Sequence, residues 1–220
     1  TNADSLFIEA MHFITYEKVN NTKKTDEKEF KLLIAHDSVR VWRHDFQSVS
    51  DSLRYDLLDS TIHFLNNPIL WGKNNQKKAD TIVSFLENNK LRKINLITNG
   101  FVIAPDTLQN YNQVSAREIT AYLSKTDGSL ERVLANGNGE TLYFALDDNQ
   151  KMIGLNRVES SEMKIDFQKN EVQVIRFSGN PDAKLSPPKV IDLKEARLEK
   201  FELFENNRPL KPSFSPLNVK

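Results

Sequence analysis

Few side chains in this sequence are suited to acid–base or metal chemistry. The four histidines, His12, His36, His44 and His63, match no metal-site spacing. Two of them adjoin an aspartate, as His36-Asp37 and His44-Asp45. Neighbours in a strand point to opposite faces, so neither pair is expected to act together. Cysteine is absent, which excludes disulfides, zinc–thiolate centres and thiol nucleophiles. No Gly-x-Ser-x-Gly elbow, phosphate loop or dinucleotide fingerprint occurs, and Gly137-Asn138-Gly139 is too short and is expected between strands. Thirty acidic residues place carboxylates near one another without marking a pair for glycoside hydrolysis. The expectation is a protein with no catalytic residues, no metal and no cofactor. Thirty basic residues balance the acidic ones, and a net charge of zero argues against a nucleic-acid partner.

What remains is the chemistry of solvation. Asp51 to Leu57 puts Leu53, Tyr55 and Leu57 on one side, with Ser52, Arg54 and Asp56 on the other. Ser161 to Phe167 repeats the pattern with Met163, Ile165 and Phe167. Strict alternation predicts half-buried strands, whereas a helix needs apolar residues three and four apart. By the same parity Phe13, Leu53, Tyr55, Leu57, Ile82, Leu86, Ile119, Leu123, Met163, Ile165 and Phe167 share one inward face. Two readings fit that face: a dry core, or an apolar groove that holds a ligand. Residues of mixed size between them (Thr15, Tyr55, Ser84, Ala121, Ile165) would give a groove its width. Lys77, Lys78, Arg92, Lys93 and Arg117 fall near the rim, where solvated charges guard strand edges. Trp42 and Trp71 each follow a second strand and are expected to pack or to line the rim.

The elements that position this face repeat. A small residue opens each of five units, at Ala10, Ser50, Ala79, Ala116 and Ser160, and a large apolar residue follows three places on: Phe13, Leu53, Ile82, Ile119, Met163. A second apolar stretch comes next: Leu33 to Ala35, Ile62 to Leu65, Ile94 to Ile97, Arg132 to Ala135, Val174 to Phe177. Paired asparagines (Asn20-Asn21, Asn66-Asn67, Asn74-Asn75, Asn88-Asn89, Asn206-Asn207) predict turns, because asparagine tolerates left-handed backbone. A strand–turn–strand unit that cannot bury its own apolar face must stack on copies of itself. The expected fold is all-β: two curved facing sheets of about ten strands, an open jelly-roll over residues 1–184. Residues 185–220 form an extension, with a short helix or last strand within Asp192 to Phe204 and an extended tail from Arg208. The opening Thr1 to Ser5 has no initiator methionine and no basic-then-apolar segment. A chain trimmed of its signal peptide is the expectation there.

Several stretches resemble the OstA-like domain of periplasmic lipopolysaccharide-transport proteins, and most closely a longer OstA-like envelope branch. They are Asp51 to Tyr55, Asp59 to Ile62, Pro68 to Trp71, Ala79 to Ile82, Asn112 to Val114, Gly137-Asn138 and Gly179 to Ala183, with Phe201 and Arg208-Pro209 further on. The resemblance implies a taco-shaped β-jelly-roll in the periplasm whose greasy interior carries lipid A acyl chains. It implies lipopolysaccharide or a related glycolipid as ligand and outer-membrane biogenesis as the process. The partners would be like-fold envelope proteins, or second copies, joined by edge-strand pairing. The rim lysines and arginines would then meet lipid phosphates. The alternative is a β-repeat scaffold that binds other envelope proteins and holds no lipid. The long insertion from Asn20 to Glu29 departs from the family pattern.

Overall fold

The computed structural model describes residues 5–19, 28–72, 74–169, 171–194 and 196–212. Its strands are β1 (Phe7–Glu9), β2 (His12–Val19), β3 (Lys28–Trp42), β4 (Gln47–Asp56), β5 (Thr61–Leu65), β6 (Ile69–Trp71) and β7 (Gln76–Lys78). They continue as β8 (Thr81–Glu87), β9 (Lys90–Pro105), β10 (Tyr111–Leu123), β11 (Leu130–Leu146), β12 (Met152–Gln168), β13 (Glu171–Ser178) and β14 (Asp182–Ser186). All fourteen belong to one antiparallel network, ordered β1-β3-β4-β5-β8-β9-β10-β11-β12-β13. Off that path β2 joins β3, β6 and β7 bridge β4 to β9, and β14 joins β12.

The short second-layer strands β1, β6, β7 and β14 raise the expected ten or so to fourteen, and the long strands bend to serve both layers. The register breaks between His36 and Val39, between Ser115 and Glu118, and between Asn136 and Gly139. One layer holds β2, β5, β8, β13 and one half of each long strand; the other holds β1, β6, β7, β14 and the other halves. Each fold line is made by two consecutive left-handed residues: Asp37-Ser38, Asn66-Asn67, Thr98-Asn99, Gly137-Asn138 and Gly179-Asn180. Two successive positive φ angles are what a type I′ corner requires, and asparagine and glycine adopt them at least cost. Gly137-Asn138-Gly139 therefore lies inside β11, at a bend, and not between strands. The five small openers face these corners, and Ala79, Ala116 and Ser160 are buried there.

The repeat is written directly into the register. Phe13, Leu53, Ile82, Ile119 and Met163 pair across strands with Ala35, Phe64, Leu96, Ala135 and Phe177. Together with Val39, Val41, Phe46 and Leu70 of the second layer, residues of these pairs form the main core. A smaller core lies on the outer face of the second layer, around Phe101, Ile103, Leu142, Phe144, Ala196 and Leu198. The described residues of 192–204 are neither helix nor strand. Among the described residues of the extension two 3-10 turns occur, Pro188–Val190 and Glu205–Asn207. Among the described residues no helix is long and apolar enough to cross a membrane. The pair Asn20-Asn21 and most of the insertion lie outside the described residues.

Candidate functional site

The interior between the layers starts from the five inward residues that follow the openers. Leu53, Ile82, Ile119 and Met163 are at most 2% exposed, and Leu86 and Ile165 join them in the core. Tyr55, Leu123 and Phe167 are half-buried and pack against that core from the side away from the bends. Phe13 holds the same register position as the four buried residues yet is 48% exposed. It stands on β2, with no further described strand beyond it. Leu57 leaves the row. β4 ends at Asp56, whose carboxylate accepts the amides of Leu58 and Asp59 at 3.1 and 3.3 Å, so Leu57 lies exposed in the turn. At the opposite end Ile175 and Phe177 of β13 and Leu185 of β14 face inward by register, and Leu185 is 67% exposed. The apolar row thus runs out to solvent at both ends.

Opposite the bends, the turns of the two layers form a mouth. Phe46, in the β3–β4 turn, inserts and meets Phe64 edge-on, ring centroids 6.3 Å apart. Arg43, buried beside it, pairs with Asp45 at 2.7 Å and donates to the Asn89 carbonyl of the facing layer at 2.5 Å. Arg43 is a latch across the mouth. Lys77 does not sit among solvated rim charges: it is buried, on the inward side of β7 between Leu70 and Val102. Its ammonium donates to Asn75. Burial, aided by the charge of Arg208, depresses its pKa to about 8. The other rim cations have partners within the chain. Lys78 reaches Glu202 at 3.3 Å, Arg92 donates to the Ser124 carbonyl at 2.7 Å, and Lys93 lies 3.8 Å above the Phe85 ring. Arg117 packs along Gly137.

Two features escaped the sequence reading. The first is a strap. Residues 196–208 cross the outer face of the second layer without joining the sheet, held by glutamines that occupy one cross-strand row. Gln113 donates to the Ala196 carbonyl at 3.1 Å and accepts the Leu198 amide at 2.8 Å. Gln76 treats Glu202 and Phe204 the same way, at 2.7 and 2.8 Å. Gln47 then accepts from Arg208 at 2.8 Å. Each side-chain amide of Gln113 and Gln76 imitates one residue of a pairing strand. Trp71, Ile103 and Leu142, in the same row, are buried beneath the strap.

The second is a cluster at the first bend. Asp37 Oδ2 lies 2.9 Å from His12 Nδ1 and 3.0 Å from His36 Nδ1, and the two rings stack 4.8 Å apart. These hydrogen bonds from His36 and His12 hold the Asp37 carboxyl below its ordinary pKa. The expectation that His36 and Asp37 point apart fails because Asp37 is left-handed, at φ 67°, which interrupts the alternation of a strand. His44 lies 4.0 Å from Asp45, which Arg43 engages. Burial lowers the pKa of His63.

No family model and no curated protein matches this chain. Among solved structures it is similar to LptH, the LptA-homologous periplasmic component of the lipopolysaccharide transport device from Pseudomonas aeruginosa. The identity is 12%, with 64% of this chain and 95% of that chain covered, at a TM-score of 0.49.

Proposed function

We propose that this chain is a non-catalytic periplasmic carrier of an amphipathic glycolipid, lipopolysaccharide or a close relative, whose acyl chains lie between the two β-layers. The observation that carries this reading is the apolar row that continues from a buried centre to exposed Phe13 and Leu185 at the two ends. An ordinary core ends under a polar cap; this one is open along its axis. The OstA-like motifs in the sequence support the same reading. Side chains fill the centre in this state, so acyl chains enter by parting of the layers about the bends. Tyr55, Leu123 and Phe167 line the entry, and the Arg43 latch resists it. At each end, the last described strand offers backbone donors and acceptors to a like-fold protein or a second copy, continuing both sheets and interior.

A scaffold that binds like-fold proteins without lipid is the second reading, favoured by the filled centre around Leu53, Phe64 and Ile82. Mass spectrometry of organic extracts from protein purified out of Gram-negative envelopes separates the two. The carrier reading expects multiply acylated glycolipid in stoichiometric amount. Extracts free of acylated lipid would favour the scaffold.

A further inference from the structure

The five bends are copies of one corner, and only the first carries imidazoles. Just before the left-handed pair, the cross-strand residues are Ser52 and Leu65, Thr81 and Ile97, Glu118 and Asn136, and Glu162 and Ser178 in the later units. In the first unit they are His12 and His36. The corner therefore forms four times without a histidine, and the fold alone does not account for this pair. Asp37 completes the group, its backbone fixed by a 3.1 Å bond from the Met11 amide to its carbonyl. The two imidazole nitrogens and the carboxylate oxygen lie within 4.8 Å of one another. Among the described residues it is the one such group of three.

We propose that His12 Nδ1, His36 Nδ1 and Asp37 Oδ2 form a binding site for a divalent transition-metal ion of the zinc type. Bonds of about 2.0–2.1 Å to a tetrahedral ion set ligand atoms roughly 3.3 Å apart. As hydrogen bonds, the two edges to Asp37 are 2.9 and 3.0 Å. An ion that replaces the imidazole protons widens each of these by about 0.3 Å, while the exposed imidazoles turn so that their two nitrogens, within 4.8 Å of each other, close to the same spacing. Two imidazoles and one carboxylate suit zinc, nickel or copper, whereas calcium and magnesium demand oxygen alone. Asp51 adds a second negative charge beside His36 and is itself held by Asn66 at 3.0 Å and Ser52 at 2.8 Å. All three ligands are partly open to water, so a fourth position is left for solvent or for a ligand from another molecule. The ion would tie edge strand β2 to β3 and so stabilise the N-terminal end of the array. This site goes beyond the lipid reading and does not depend on it.

The test is calorimetric titration of the chelator-treated full chain with zinc chloride. One zinc ion per chain is expected, with a melting temperature that rises on binding. His12→Ala, His36→Ala and Asp37→Asn should each weaken binding by more than the roughly tenfold cost of losing an outer partner. His44→Ala should leave it unchanged. Cobalt(II) substitution gives a second readout, a visible absorption band of tetrahedral intensity in the wild type that is lost in His12→Ala. Circular dichroism confirms that each variant is folded. Absence of saturable zinc binding, or binding unaltered in both histidine variants, would overturn the proposal.

Discussion

Lys77 shows how a single residue sets a condition on the fold. Its ammonium is inside the sandwich, and desolvation brings its pKa from 10.5 to about 8. The folded value is the lower one, so below pH 8 both states are protonated and the folded state carries the full cost of burial. Between pH 8 and 10.5 the folded chain releases a proton that the unfolded chain keeps, and stability rises. Lys77→Met should therefore stabilise the protein at pH 7 by roughly 2–3 kcal/mol, the shift converted and reduced for the lost bond to Asn75. Most of that gain should vanish by pH 10.5. Urea denaturation at the two pH values checks this; an equal gain at both would show that burial of the charge is not its source. His36 and Asp37 teach a related lesson. Alternation was the right rule for the strand, but a left-handed residue resets it, and φ cannot be read from the letter D.

At the scale of elements, the strap depends on glutamines that reach its backbone. Gln113→Ala removes both bonds to Ala196 and Leu198 in a buried place, at a cost of about 2–3 kcal/mol. Hydrogen exchange should quicken at Leu198 while Phe204, clamped by Gln76, stays protected; equal protection at Leu198 in variant and wild type would sink the clamp. The five units, their openers and their cross-strand partners were legible because one layer faces water, so charge and apolar residues alternate along Leu53 to Asp56 and Met163 to Phe167. The strap was not, because side-chain amides bonding extended backbone leave no period. One signal was present: Ile69-Leu70-Trp71 and Phe101-Val102-Ile103 are apolar on both faces, and such strands must be covered twice. The histidine pair was equally hidden, since His12 and His36 meet only through the β2–β3 register.

For the whole molecule, the consequence of stacking is an array with two unfinished ends. The N-terminal end has a cleft of about 670 Å³ where Leu6, Ile8 and Phe13 meet Pro209 and Leu210, just past the strap. The other end presents Phe177 and Leu185. A contact that joins unlike ends need not close into a ring, so association should grow with concentration. Sedimentation velocity should show chains in the wild type, and Phe13→Asp or Leu185→Asp should suppress them with little loss of stability, since the two side chains are already 48% and 67% exposed. A strict monomer at all concentrations would deny the ends this role. The central claim is that the interior holds acyl chains, and site-specific photo-crosslinking tests it most directly. A benzophenone side chain at Phe167, inward and half-buried, should label with lipopolysaccharide in cells, whereas the same group at Arg54, on the solvated face of the same layer, should not. Equal labelling at the two positions, or none at Phe167, would contradict the account.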